Sequence, residues 1–462
     1  MESHPIWIFL LFGLFFVALL GGIPVAWALG GSAFIVTGLS VWSQAAQGTD
    51  LVLDWNTFSL STERIYGLIE NETLVALPMF ILMGHILDKS GISQRLMMTM
   101  SRLFGKMPGG LAAGVVVIGV LLAASTGIIG ASVVLLATIC LPAMREAGYS
   151  MRLACGTICG AGTLGILIPP SIMLVIMADR LQLPVADLFG GSLMPGLILA
   201  GLYISYILVI ARLQPQLAPA SQSGQDTEES LSWWSIVKSA LPVTLLILIV
   251  LGSIFTGIAP PTEASGLGAA GAFILAFVYR GGTWKSLKNT MDETVLTMGF
   301  LFAIFTGASC FALALRLLGG DEWIRQSLAA SELSGQLTIL VILVFIFILG
   351  FFLDWIEITL IALPIISQVV DGLSLPWAEA WGGSDAVLLW FAILCALVLQ
   401  TSFLTPPVGF ALFYLKGTEA AGSVRLKDIY AGIIPFVVIQ LVGVAVVFLF
   451  PGIVLWLPSL RG

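Results

Sequence analysis

Long apolar stretches alternate with short polar ones along nearly the whole chain, and strict alternation of single apolar and polar residues is absent. A helix needs about 20 apolar residues to cross a bilayer, whereas a membrane β-strand alternates its two faces over about ten residues. The pattern therefore predicts an all-α polytopic membrane protein. Simple spans are expected at about 6–22, 24–41, 72–88, 188–211, 237–257, 263–279, 293–315 and 430–456.

Two longer apolar stretches, 110–144 and 337–370, are interrupted near their middle by polar or small residues. Basic residues flank the first stretch on both sides, and acid-rich loops flank the second. Because Lys and Arg collect on the cytoplasmic side of a membrane, each stretch must enter and leave on one side. We therefore predict two re-entrant helical hairpins, the first opening to the cytoplasm and the second to the outside.

Two further spans carry a helix break. The span 153–178 is interrupted at Gly165–Pro170, and the span 386–415 is interrupted at Thr401–Pro407. Each break contains a Pro-Pro pair, and proline cannot continue a helical hydrogen-bond ladder. The simpler alternative is that Pro and Gly only kink ordinary spans, which membrane helices tolerate.

The order of these elements repeats with opposite orientation. A span, a hairpin, a broken span and a further span fill 72–212, and the same order fills 293–462. Residues 1–71 then hold two spans and an outer loop over 43–71, while 213–292 hold a polar linker over 213–235 and the central spans. Inverted repeats with interrupted helices are typical of secondary transporters, whose binding site lies between the repeats near the bilayer midplane.

Composition supports this interpretation. Apolar residues make up 58% of the 462 residues and charged residues only 10%, whereas soluble domains carry about 25% charged residues. Lipid is therefore the expected surrounding of most of the surface, and no nucleic acid is expected as a partner. The chain contains no Walker A, His-Glu-x-x-His or Gly-x-Ser-x-Gly sequence, so we predict a transporter rather than an enzyme.

The first hairpin tip and the first break supply oxygen atoms without intramembrane carboxylates, which suits Na⁺. Expected metal ligands are Ser132, Gly127, Gly130 and Thr163, and expected substrate contacts are Ser125, Thr126, Gly165 and Pro169. The alternative is that the hydroxyl groups bond back to their own helices.

The second hairpin contains two acidic residues deep in an apolar segment, and such residues are functional candidates. Asp354, Thr405 and Pro406 are expected to contact substrate, and Glu357, Thr401 and Ser402 to bind a second cation. Asp-x-x-Glu also has the form of a helix capping box, so a structural role remains open.

Several segments, in their order along the chain, resemble the large membrane subunit of tripartite ATP-independent periplasmic (TRAP) transporters. The segments are Leu77–Gly84, Gly127–Ser132, Gly162–Ser171, Asp187–Phe189 before Pro195–Gly196, Pro260–Ala264 and Thr405–Gly409. The resemblance implies an elevator-type, Na⁺-coupled importer of organic acids in the bacterial inner membrane. It also implies two partners, a small four-helix membrane subunit on a separate chain and a periplasmic substrate-binding protein.

The resemblance implies that the two hairpin tips and the two breaks hold substrate and Na⁺. His85 departs from the family pattern, which has an acidic or amide residue after Met-Gly, and the segments 43–71 and 213–235 are longer than usual. A second hypothesis is a stand-alone anion/Na⁺ symporter or efflux carrier of the same superfamily. A channel or membrane scaffold is a third.

Overall fold

The computed structural model describes residues 4–47, 52–91, 107–126, 129–220, 233–280, 284–329, 333–406, 409–422 and 424–461. All regular structure in this part of the chain is helical. Seven of the described helices are long and apolar enough to cross a membrane, and an eighth span is possible if a bent helix pair crosses as one. The prediction of an all-α polytopic membrane protein is therefore confirmed.

The chain forms two compact units, each built from several segments. The first unit comprises residues 1–74, 295–342 and 353–388, and the second comprises 75–294, 343–352 and 389–462. The division into 1–71, 72–212, 213–292 and 293–462 stays a prediction.

The first unit is built around the N-terminal helices. Its helices are α1 Pro5–Leu20, α2 Val25–Gln47, α3 Trp55–Phe58, α4 Leu60–Ile69, the later part of α13 Trp284–Leu317, α14 Gly320–Ala329, α16 Trp355–Glu357 and α17 Leu363–Asp371. Residues Ile358–Ala362 form a π-helical turn between the last two. A β-carbon on Gly307 would overlap the carbonyl oxygen of Ala26, so α2 and α13 touch through their backbones.

The second unit contains both helix breaks. Its helices are α5 Glu72–Lys89, α6 Gly110–Thr126, α7 Ile129–Glu146, α8 Met151–Thr163, α9 Ile172–Leu181, α10 Val185–Leu213, α11 Trp233–Phe255, α12 Pro261–Arg280, most of α18 Ser384–Leu404, α19 Phe410–Lys416, α20 Leu426–Leu449 and α21 Gly452–Ser459. Part of α15 Gly335–Leu349 also belongs to it. Helix α8 packs against α6, α7, α19 and α20.

Small residues allow the central helices of the second unit to approach closely. A β-carbon on Gly156 of α8 would overlap the carbonyl oxygen of Gly432 in α20, and one on Gly432 would overlap the carbonyl oxygen of Arg152. Membrane helices associate through such small residues because lipid offers no hydrophobic drive between them. The α8–α20 contact therefore depends on the absence of side chains at both glycines.

Three helical elements have limits that differ from the expected ones. The described part of 43–71 is largely helical rather than an outer loop, because Asp54 caps α3 by accepting a 2.7 Å hydrogen bond from the Thr57 amide while Thr57 Oγ1 accepts one from Asp54 N–H. The span expected at 293–315 begins at Trp284. The span expected at 430–456 ends at Leu449, and a separate helix follows Pro451.

Substitution Gly156→Ala is expected to destabilise the protein by about 1–3 kcal/mol, because the added methyl group forces α8 and α20 apart. The thermal unfolding midpoint of the purified protein measures the effect. Gly201→Ala in α10 is the matched control, since nothing lies within 4 Å of its β-carbon, and it should leave the midpoint unchanged or slightly raised. Equal midpoints for the two variants would contradict the backbone contact.

Candidate functional site

The first helix break lies at the end of α8. The helix ends at Thr163, a 3₁₀ turn covers Leu164–Ile166, and the chain becomes helical again at Ile172. Pro169 and Pro170, joined by a cis peptide bond, carry no N–H, so the α-helical ladder stops before them. Every residue of the break is buried, and protein therefore covers the backbone that the helix leaves unpaired.

The start of α7 touches the end of α8. A β-carbon on Gly162 would lie 3.1 Å from Val133 Cα and 3.2 Å from Val133 N. Ser132, the residue before Val133, is only 1% exposed. The predicted proximity of Ser132 to the first break is thus supported by the backbone contact beside it.

The other members of the first predicted site have different surroundings. Gly165 and Pro169 are buried in the break, while Gly130 faces the ring of Tyr414, 3.0 Å from where its β-carbon would be. Gly127 and the side chains of Ser125 and Thr126 lie outside the described residues, so their predicted roles stay predictions.

Thr163 belongs to a buried polar network that sequence reasoning missed. Its hydroxyl donates to the carbonyl of Gly160 at 2.9 Å, and it accepts from Gln400 Nε2 at 3.3 Å and from Gln440 Nε2 at 3.4 Å. All three side chains are fully buried. The sequence does contain a signal for this network, a glutamine within each of two apolar spans. Such polar side chains usually face protein rather than lipid.

The second break follows α18, between Leu404 and Phe410, and Gly409 adopts a φ of +58° there. The hydroxyl groups before it bond to their own helix: Thr401 donates to Leu397, Ser402 to Leu399 and Thr405 to Thr401, each at 2.8 Å. This is back-bonding of the kind that was the alternative for the hydroxyl groups of the first site. A hydroxyl that donates its hydrogen keeps its oxygen lone pairs, so it can still coordinate a cation.

Gly350, which follows α15 in the stretch predicted as the second hairpin, lies against the second break. A β-carbon there would overlap Ser402 Oγ and would lie 2.8 Å from Ser402 Cβ. Sequence reasoning did not select Gly350, because its role depends on a partner distant in the chain. Pro406, adjoining the same break, is exposed.

Asp354 is the N-cap of α16, and its Oδ1 accepts a 2.8 Å hydrogen bond from the Trp355 amide. Glu357 is 2% exposed, and its Oε2 has no hydrogen-bond partner among the described residues. Both acids belong to the first unit, whereas Thr401, Ser402 and Thr405 belong to the second. The second cation site that combines them stays a prediction.

His85 connects α5 to α13. Its Nδ1 lies 3.1 Å from Thr294 Oγ1, and that hydroxyl donates its hydrogen to Thr290 at 2.8 Å. Nδ1 must therefore be the donor. One turn later, Lys89 pairs with Glu293 at 2.6 Å. These contacts give His85 a role in packing α5 against α13.

Comparison with known proteins identifies the family of this chain. The profile described as "Tripartite ATP-independent periplasmic transporter, DctM component" matches residues 12–453. The C4-dicarboxylate TRAP transporter large permease protein DctM of Pseudomonas aeruginosa is 31% identical over 86% of this chain and 89% of its own length. The sialic acid TRAP transporter permease protein SiaT of Haemophilus influenzae is 26% identical over 95% of this chain and 66% of its own.

Among solved structures, the YdaH transporter of Alcanivorax borkumensis superimposes with a TM-score of 0.60 over 87% of this chain and 90% of that one. At 12% identity, this likeness shows the fold alone. The relatives are named as transporter permeases, which confirms the prediction of a transporter rather than an enzyme and favours the first of the three hypotheses.

The family match over residues 12–453, together with the apolar helices of the described chain, leads to one conclusion: the chain is a multi-pass membrane protein and belongs to the large permease subunits of TRAP transporters.

Proposed function

We propose that this chain imports a small organic acid across the bacterial inner membrane, driven by a Na⁺ gradient. A periplasmic binding protein delivers the acid, and a small four-helix membrane subunit completes the permease. The main support is the repeated contact at the two helix breaks. Gly162 meets Val133 of the first hairpin region, and Gly350 of the second hairpin region meets Ser402.

The chemistry of the breaks supports Na⁺ as the coupling ion. Unwound backbone carbonyls and helix C-terminal ends coordinate Na⁺ in transporters built from inverted repeats. Ser132 at the first break and Thr401 and Ser402 at the second add buried hydroxyl oxygens. These groups are uncharged, so they can hold a cation without keeping a permanent charge in the membrane.

Carboxylates are the proposed substrate class. The two relatives described above are named for C4-dicarboxylates and for sialic acid, and both kinds of molecule carry a carboxylate. Helix α9 begins immediately after the first break, at Ile172, and the positive end of a helix dipole stabilises an anion. Gly165 and Pro169 are the proposed substrate contacts beside it.

Translocation is proposed to occur by an elevator movement, which carries the two re-entrant hairpins across the membrane. The resemblance to TRAP permeases supports this mechanism, and the order of hairpins and breaks within 72–212 and 293–462 supports the inverted repeat. Asp354, Thr405 and Pro406 are proposed to contact substrate, and Glu357, Thr401 and Ser402 are proposed to bind a second cation.

Reconstitution in liposomes tests the proposed function directly. With the membrane partner present and a substrate-loaded binding protein outside, an inward Na⁺ gradient should accumulate a radiolabelled carboxylate, and a K⁺ gradient of equal size should not. ATP should have no effect. Accumulation by this chain alone, with neither partner, would instead support the stand-alone symporter.

Substitutions Ser132→Ala and Asp354→Ala are each expected to weaken Na⁺-dependent uptake without loss of folding, because each removes an oxygen from a proposed site. For Ser132→Ala the Na⁺ concentration for half-maximal uptake should rise about tenfold, and for Asp354→Ala the substrate concentration for half-maximal uptake should rise about tenfold; each change corresponds to about 1.4 kcal/mol. Ser367→Ala serves as control, since that hydroxyl donates to Pro364 within its own helix. Unchanged uptake in both test variants would refute the site assignment.

Substitution Gly350→Ala is expected to lower uptake about tenfold or more, because the added methyl group displaces Ser402, and small displacements at a binding site are costly. Initial uptake rates at equal amounts of reconstituted protein measure this. Gly372→Ala, at the residue that directly follows α17, is a matched control, since the nearest atom lies 3.6 Å from its β-carbon. Similar rates for both variants would contradict a role of the Gly350–Ser402 contact.

A further inference from the structure

The network around Thr163 contains more acceptor oxygens than donated hydrogens. Gln400 and Gln440 direct their Nε2 atoms at Thr163 Oγ1, whose single hydrogen goes to Gly160. The Oε1 atoms of both glutamines have no hydrogen-bond partner among the described residues. A buried acceptor without a partner costs about 1–3 kcal/mol, so this arrangement calls for an occupant.

Reversing the amides does not remove the imbalance. The oxygen and nitrogen of a Gln side chain are assigned from the hydrogen bonds that they make, so each amide could be turned. Thr163 has one hydroxyl hydrogen, however, and three oxygens compete for it: Gly160 O and the two Oε1 atoms. Among these bonds to Thr163 alone, at least one of the three oxygens therefore stays without a hydrogen whichever way the amides point.

Tyr203 adds a fourth polar group. Its side chain is fully buried and lies within hydrogen-bonding reach of Gln440, although its hydroxyl makes no bond of good geometry among the described residues. With the hydrogen of Tyr203 included, two hydroxyl hydrogens face three acceptor oxygens, so one acceptor still has no donor. Helix α10 thus contributes to the same cluster as α8, α18 and α20. We call Thr163, Tyr203, Gln400 and Gln440 the amide cluster.

The local field favours a positive occupant. Thr163 is the last residue of α8, and Gln400 lies one turn before the end of α18 at Leu404. The C-terminal end of a helix carries a partial negative charge and stabilises cations. Two such ends adjoin the amide cluster, and its four side chains carry no formal charge of their own.

We propose that the amide cluster is a Na⁺ site, separate from the sites proposed at the hairpin tips. The side-chain oxygens of Gln400, Gln440 and Tyr203 coordinate the ion, and Thr163 holds the two amides in place. This proposal rests on Na⁺ coupling as proposed above. An ion here also ties the end of α8 to α18 one turn before its end, so it links the helix segments that precede the two breaks.

Equilibrium binding of ²²Na⁺ to the protein purified from its host membrane, with its membrane partner, tests the proposal apart from transport. Gln440→Met keeps the length of the side chain but removes the oxygen, and Tyr203→Phe removes only a hydroxyl. Each should lose at least tenfold in the affinity of one bound Na⁺ and leave the remaining Na⁺ unaffected. Ser132→Ala should affect a different ion, so its loss should add to that of Gln440→Met in the double variant.

Ser192→Ala is the matched control, because that fully buried hydroxyl lies in α10 with Tyr203 but donates to Phe189. It should bind Na⁺ like the wild type. If Gln440→Met and Tyr203→Phe both bound Na⁺ with wild-type stoichiometry and affinity, the amide cluster would not be a Na⁺ site and its occupant would be water. The proposal of Na⁺ coupling would not be affected by that result. Absence of ²²Na⁺ binding to the wild type would overturn both proposals.

Discussion

The structure depends on one constraint: a backbone N–H or C=O inside a bilayer has no water to bond to, so an interrupted helix must be covered by protein. The two helices that precede breaks meet this constraint. Every residue of α8 from Leu153 to Thr163 is buried, and so is every residue of α18 from Leu389 to Leu404. In contrast, only 33% of the residues in the most apolar 18-residue stretch of α10 are buried, and only 28% in the corresponding stretch of α12. These low values are expected of helices that face lipid.

Protein can cover an interrupted helix closely only where small residues let the helices approach. Gly156 and Gly432 let α8 and α20 touch through their backbones, while Gly162 lets the end of α8 approach Val133 and Gly350 lets the chain after α15 approach Ser402. A larger side chain at any of these positions would separate the elements by about the width of a methyl group or more. Glycine here serves close approach, because the backbone at these four positions is free of positive φ.

The sequence predicted those features that depend on local chemistry. Pro169 and Pro170 remove backbone donors from their own helix, so the first break could be located without its surroundings. The capping box of Asp54 and Thr57 is equally local, but the polar composition of 43–71 favoured a loop, and two short helices were missed. The Gly350–Ser402 contact and the amide cluster could not be predicted, because each joins residues that only folding brings together.

The two units contain different buried polar groups, and the free energy lost when such a group has no partner differs between them. Glu357 is buried, and an ionised carboxylate without a partner is far more costly in a low-dielectric interior than an unpaired amide. A carboxylate therefore needs a proton or a cation whenever it is buried. An amide oxygen without a partner costs only about 1–3 kcal/mol.

Sites made of amides, hydroxyls and helix ends can therefore stand empty within a folded protein, and they bind a cation weakly enough to release it. An ion-coupled carrier has to fill and empty its cation sites in every cycle, and uncharged oxygen donors suit that requirement better than buried acids do.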